Sequence, residues 1–281
     1  MEIIEKPGDM HAASAKLRAG GKALGFVPTM GCLHEGHLSL VRAAREDNGA
    51  VAVSIFVNPT QFGPNEDLGR YPRDMEGDLA KCRAEGVDLV FVPSAKNMYP
   101  AGAVSFVDLG GGITGRLCGA SRPGHFRGVA TVVAKLFNIV SPERAYFGAK
   151  DYQQTVVIRR MAHDLDFPVE VVVLPTVREP DGLAMSSRNS YLGPAERKAA
   201  AMVYAALGEA AALYLSGERR ASAVAGRFRD AVSAQPLIEV EYASVADPDD
   251  LSPLETVTGG AILAVAARAG ATRLIDNIAL S

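Results

Sequence analysis

His34 and His37 stand three residues apart in the stretch Phe26–Val41, FVPTMGCLHEGHLSLV. At that spacing two imidazoles share one face of a helical turn. An apolar run, Ala23 to Val27, precedes them and leads through Pro28, Thr29 and a glycine bend into a helical pattern opening near His34. This is strand–turn–helix syntax, and a helix start offers free backbone N–H groups to an anion. Two imidazoles beside free amides suit the phosphates of a nucleotide. The turn is neither GxGxxG nor GxxxxGK[ST], and a zinc protease motif needs histidines four apart, as in HExxH. A pair of functionless surface caps is the remaining alternative. Gly31 and Gly36 weigh against it, because glycines at such a turn let a ligand approach the backbone.

Other polar residues recur where apolar runs end. Val51–Val57 reads as a buried parallel strand, and it runs into Asn58-Pro59-Thr60-Gln61-Phe62. Ala145–Phe147 is a short strand ending in Gly148-Ala149-Lys150-Asp151, with Gln153 and Gln154 opening the next helix, Tyr152 to His163. Ligand contacts in an open α/β sheet gather at such carboxyl ends. Further on, Asp181-Gly182 is turn chemistry before the polar loop Met185-Ser186-Ser187-Arg188. The stretch Arg116–Gly128 contains Arg122, His125 and Arg127, which read equally well as a functional or a solvated basic loop. His11 and His163 read as surface residues.

The elements that must hold these groups alternate. Helices are expected at Met75–Ala84 and Val129–Ile139, and strands at Val87–Val92 and Val169–Leu174, with an extra short strand at Val104–Val107. Strand–helix alternation up to Pro175 predicts a Rossmann-like, doubly wound parallel sheet. Beyond it, helices at Pro194–Leu215 and Ala221–Ala231 precede strand patterns at Ile238–Val245, Ala261–Ala267 and Thr272–Ile275. They form a smaller α+β unit. The division is placed at residues 1–178 and 179–281.

Composition narrows the classes. The chain has 281 residues, 48% hydrophobic, with a net charge of −3. That balance leaves no electrostatic footprint for nucleic acid. No apolar run reaches the roughly 18 residues of a membrane span, and the opening MEIIEKPGDM is not of the signal-peptide kind. Cys32, Cys82 and Cys118 lack metal-type spacing, so reduced thiols in a cytoplasmic protein are expected.

The blocks PTMGCLHEGH, FVNPTQF, SRPGHFRGV, YFGAKDYQQ and MSSRNSYL, in that order, resemble the pantothenate synthetase family. HEGH alone is similar to the wider group of class I aminoacyl-tRNA synthetases and nucleotidyltransferases. The resemblance implies an ATP-dependent, Mg²⁺-using condensation of pantoate with β-alanine through a pantoyl adenylate, in a homodimer. It implies that Met30, Gly31, His34, His37, Gly148, Lys150, Asp151, Val177, Met185, Ser186, Ser187 and Arg188 hold ATP. Of these, His34, His37, Lys150 and Arg188 would act on the phosphates, and Val177 would meet adenine through its backbone. Gln61, Gln154 and Asn58 would receive pantoate and β-alanine. Cys32 reads as a small filler. Two rivals differ in chemistry: a nucleotidyltransferase acting on a phosphorylated substrate, disfavoured by the neutral amides, and a nucleotide sensor, which needs no leaving-group loop.

Overall fold

The computed structural model describes residues 1–281. Its chain order is β1 (Glu2–Ile4), α1 (Pro7–Ala19), β2 (Leu24–Thr29), α2 (Glu35–Asp47), β3 (Ala50–Ile55), α3 (Met75–Ala84), β4 (Leu89–Phe91), α4 (Ala95–Met98), α5 (Cys118–Ser121), α6 (His125–Val140), β5 (Arg144–Gly148), α7 (Tyr152–Asp164), β6 (Glu170–Leu174), α8 (Pro194–Leu215), α9 (Ala221–Ser233), β7 (Ile238–Ala246), β8 (Ala261–Ala269) and β9 (Thr272–Leu280).

The first six strands form one sheet in the order β1-β4-β3-β2-β5-β6, with every pairing parallel. Strand residues alternate between two cores, because successive side chains point to opposite faces. Phe26, Ala52, Ala145 and Phe147 join the core under α1, α6 and α7, whereas Val27, Val51, Val53 and Tyr146 join the one under α2. All six residues of β3 are buried, which is why its sequence is apolar at every position but Ser54 rather than alternating. The chain runs from β2 outward to β3 and β4, then crosses back to β5 on the other side of β2. That switch opens a crevice at the carboxyl ends of these strands.

The smaller unit is a three-stranded antiparallel sheet, β7-β8-β9, covered by α8 and α9. Ala246, Leu251 and Ile262 belong instead to the core around α6 and α7, so this sheet docks directly on the larger unit.

Two expectations need correction. Val104–Val107 is not a strand: it has no sheet partner, and Val104 and Phe106 lie exposed. Its backbone is tethered to α6, where the Val107 N–H donates to Thr131 Oγ1 at 3.0 Å. A β-favouring composition without a neighbouring edge does not make a ladder. Conversely, β1 and α1 occupy a segment not read as structured. β1 has three residues, and α1 is too weakly amphipathic to show a periodic stripe.

Candidate active site

The turn after β2 places the histidines. Gly31 and Cys32 take φ of +85° and +51°, a left-handed bend that turns successive N–H groups to one side. The buried Asp78 carboxylate, from α3, accepts from Cys32 N at 2.7 Å and Leu33 N at 2.6 Å. Burial pushes this carboxyl above its ordinary value, and the two N–H bonds oppose that rise. The Cys32 backbone is thus part of a held bend. Its carbonyl also accepts from Ser187 Oγ at 3.1 Å.

His34 caps α2, and His37 sits in its first turn with the ring centroids 4.1 Å apart. The His34 N–H donates to His37 Nδ1 at 3.3 Å. His37 therefore carries its proton on Nε2. Burial lowers His34 to about 4, with nearby Lys150 adding to the effect. Burial lowers His37 to about 3, assisted by His34 and Lys150. Both are neutral N–H donors at neutral pH. No group of three or more His, Cys, Asp or Glu is arranged to hold a metal ion, so the pair lacks the further ligands zinc would need.

Three walls meet these rings around a cavity of about 220 Å³. Met30, His34, His37, Asn58, Gln61, Gly148, Lys150, Asp151, Gln154, Val177, Met185, Ser186, Ser187 and Arg188 all line it. Of the positions that the resemblance assigns to ATP or the substrates only Gly31 does not, acting instead through the bend. A wider cleft of about 830 Å³ adjoins it between the two units and shares Gln61, Lys150, Asp151, Ser186 and Arg188. Together they have the capacity of an ordinary small-molecule site.

The wall after β3 is built around Asn58. Its buried side chain donates to Gln61 Oε1 at 3.0 Å and Gly128 O at 3.2 Å, and accepts from Thr60 and Tyr99. All its polar groups are engaged within the protein, and its Nδ2 holds Gln61. Gly128 lets α6 touch this turn: a Cβ there would lie 2.3 Å from Thr60 O. Arg122 and His125 act on the same turn. His125 contacts Gln61 O through Nδ1 at 2.8 Å and Arg122 NH1 through Nε2 at 2.9 Å. A guanidinium can only donate, so Nε2 accepts and Nδ1–H donates to the carbonyl. Burial, then the Arg122 charge, lowers His125 to about 4. Arg122 also grips Glu66 through two bonds of 2.7 and 2.6 Å. These two residues form neither a solvated loop nor a free basic patch; they are a brace. Arg127 is exposed and lies over the Phe106 ring.

The wall after β5 carries Lys150, whose Nζ is 3.9 Å from Asp151. The two glutamines of α7 divide their work. Gln153 anchors residues 113–118 through bonds to Ile113 O, Arg116 O and Cys118 N, while Gln154 lines the cavity. The third wall is the loop from Val177, whose carbonyl accepts from Met185 N at 3.0 Å. Ser186 Oγ accepts from Arg188 N, and Arg188 pairs with Asp67. His11 and His163 lie exposed, away from the cavity.

Asp78, Asp67, Tyr71, Asp276 and Asn277 escaped the sequence reading. Each acts on a residue more than forty positions away, and nothing local marks it. Only Asp78, a carboxylate on the buried side of an otherwise ordinary helix, carries a faint signal.

Paired neutral histidines at a helix start, a lysine after β5 and a Ser-Ser-Arg loop thus meet in one cavity of an α/β fold. The chain belongs to the pantoate-beta-alanine ligase family, whose model matches residues 2–279. It is 57% identical over 280 residues to the pantothenate synthetase of Roseiflexus sp. (strain RS-1), and 53% identical over 280 residues to that of Moorella thermoacetica. In both comparisons all of this chain and 99% of the relative are covered. Among solved structures it is similar to pantothenate synthetase from Thermus thermophilus, with TM-score 0.93, 48% identity and 99% of each chain covered. It is also similar to pantoate-beta-alanine ligase from Francisella tularensis complexed with beta-gamma ATP and beta-alanine, with TM-score 0.80, 33% identity, and 99% and 97% of the chains covered. The protein is accordingly a ligase that joins pantoate to β-alanine through an amide bond.

Proposed function

We propose that the cavity activates pantoate with ATP as a pantoyl adenylate, then lets the β-alanine amine displace AMP. The observation that carries this is the meeting, in one crevice, of phosphate-directed donors from the β2 and β5 ends with the cavity-lining amides of Gln61 and Gln154. A carboxylate is a poor acceptor because oxide is a poor leaving group, and AMP replaces it with a stabilised one.

Each residue's part joins its place in the cavity to what the family resemblance implies. The His34 and His37 N–H groups, Lys150 and Arg188 stabilise charge on the phosphates, with Met30 and Gly31 supplying the backbone of the turn between them. Gly148 and Asp151 border the ribose, and the Val177 backbone meets adenine. Gln61 and Gln154, neutral amides that donate and accept, hold pantoate, with Asn58 and the Arg122–His125 brace fixing Gln61. Met185, Ser186 and Ser187 bring Arg188 over the leaving pyrophosphate. The segment 179–281 is the lid that excludes water from the adenylate, against residues 1–178 as the binding domain.

Mg²⁺ fits this donor set only as an ion carried by the nucleotide. The chain has no all-protein cage, and Mg²⁺ is commonly held by substrate phosphates, waters and one or two carboxylates. Asp151 is the carboxylate among the cavity-lining residues, and it would supply the protein's ligand to such an ion. The cytoplasmic setting rests on the three cysteines without metal-type spacing and the homodimer on the family resemblance; no helix is long and apolar enough to cross a membrane.

The test is isotope exchange. ATP and pantoate without β-alanine should exchange labelled pyrophosphate into ATP, and AMP should accumulate stoichiometrically with product only when β-alanine is added. Exchange that strictly requires β-alanine would rule out the separate adenylate.

A further inference from the structure

Two adjacent residues of β9 reach from the small unit to two different walls of the cavity without lining it. Asp276, 5% exposed, takes the Arg178 guanidinium fork to fork, NH1 to Oδ2 at 2.6 Å and NH2 to Oδ1 at 2.9 Å. Arg178 directly follows Val177, and its guanidinium also donates to Gly182 O at 3.1 Å and covers the Tyr204 ring. It bridges to Ala184 across the base of the loop that ends in Met185–Arg188. Asn277 does the matching work on the opposite wall. Its Nδ2 donates to Ala149 O at 2.9 Å and Lys150 O at 3.1 Å, the two carbonyls of the turn that carries Lys150. Asp276 Oδ1 accepts the Asn277 N–H at 2.8 Å, tying the two grips together.

We propose that Asp276 and Asn277 are positioning residues for adenylation. β9 works as a strut that sets the distance between Lys150 and the 177–188 loop, so the seating of the small unit determines whether both walls meet the same phosphates. The chemistry of the pair is particular. Among uncharged side chains only a primary amide has two hydrogens on one nitrogen to donate to two carbonyls at once, and among side chains only a carboxylate accepts a guanidinium fork. The proposal rests on the assignment of Lys150 and Met185–Arg188 to ATP.

Asn277→Asp, Asn277→Ser and Lys150→Ala separate the two levels. Asn277→Asp turns a carboxylate toward the two carbonyls, whereas Asn277→Ser retains one donor. Pyrophosphate exchange at saturating ATP should fall by about 10- to 100-fold in Asn277→Asp, the usual effect of a misplacement near 1 Å, and by less in Asn277→Ser. The apparent KM for ATP should rise in both. The second half-reaction, started from synthetic pantoyl adenylate and β-alanine, should stay within about twofold of the parent. Exchange within twofold of the parent in both variants would overturn the proposal. Equal losses in both half-reactions would overturn it too, since they would mean general structural damage; should Asn277→Asp not fold, Asn277→Ser alone decides between these outcomes. Normal exchange by Lys150→Ala would instead overturn the ATP-site assignment itself, whatever the Asn277 variants do.

Discussion

The Arg188 guanidinium lies fork to fork on the Asp67 carboxylate, with Nε–Oδ2 and NH2–Oδ1 both at 2.8 Å. The cation also faces the buried Tyr71 ring, 5.4 Å from its centroid. Burial alone would raise the Asp67 carboxyl, but the Arg188 bonds more than offset it and hold the group below its ordinary value. Arg188 thus stands at the cavity edge with its fork on a protein carboxylate. Arg188→Ala should slow pyrophosphate exchange by about 10²- to 10³-fold, the scale of losing one donor to developing charge. Attack of β-alanine on synthetic adenylate, already free of pyrophosphate, should change little. Single-turnover rates for each half decide; equal losses would show that Arg188 holds the fold or AMP.

The histidines should behave as neutral donors. Alanine at His34 or His37 should slow exchange by about 10²- to 10³-fold while the melting temperature stays close to the parent's. A variant exchanging at the parental rate would remove that histidine from the mechanism.

Their pH dependence has a fixed sign. His34, His37 and His125 have folded values of about 4, 3 and 4 against an ordinary 6.5. Between those limits the unfolded chain binds protons that the folded chain does not. Their contribution is therefore fully present above pH 6.5 and is lost as the pH falls, by up to about 1.4 kcal/mol per pH unit for each proton. Urea midpoints should drop between pH 7 and 5, and less steeply in His125→Gln. Over the same range kcat/KM for ATP should show no acid limb from the paired histidines. A limb near pH 6.5 would mean that they titrate as exposed imidazoles.

Asp78 links stability and catalysis. Asp78→Ala leaves the Cys32 and Leu33 N–H groups without their acceptor, at a cost of about 1–3 kcal/mol for a buried donor set. It also frees the bend that aims His34. The urea midpoint and the exchange rate should fall together, and a variant that loses neither would mean that the left-handed bend holds itself.

What the sequence disclosed and what it withheld divide along one physical line. His34, Gln61, Lys150 and Arg188 were legible because strand ends and glycine turns are local features, and a doubly wound sheet brings strand ends together. The continuous apolar β3 likewise announced a sheet covered on both faces. The braces were not legible. Asp78 reaches Leu33, Asn277 reaches Lys150 and Asp67 reaches Arg188 across 45, 127 and 121 residues, and no periodicity encodes such pairings. Val104–Val107 misled because β propensity describes a side chain's fit to a sheet surface, and no edge lies beside it. Asn58 stands near a strand end as its sequence suggests, and its hydrogen bond to Gln61 is a local feature of the same turn.

Gly128 gives the sharpest test of how the pantoate side is built. The residue lies in the first turn of α6, where alanine is ordinarily favoured over glycine by about 1 kcal/mol. Here a Cβ would fall 2.3 Å from Thr60 O and 2.8 Å from Gln61 Cα, both backbone atoms that cannot swing aside. The turn would have to move away from α6. That movement would stretch the bond from Asn58 Nδ2 to Gly128 O and displace the Gln61 carbonyl from His125 and Arg122. Gln61 would then leave its place while the histidines, on the turn after β2, would not. Gly128→Ala should therefore raise the KM for pantoate by at least about tenfold, equivalent to about 1.4 kcal/mol, and leave the KM for ATP within about twofold. Initial-rate kinetics with each substrate varied in turn measure both. Equal rises would mean that the two walls move as one body, and an unchanged pantoate KM would mean that Gln61 does not hold pantoate.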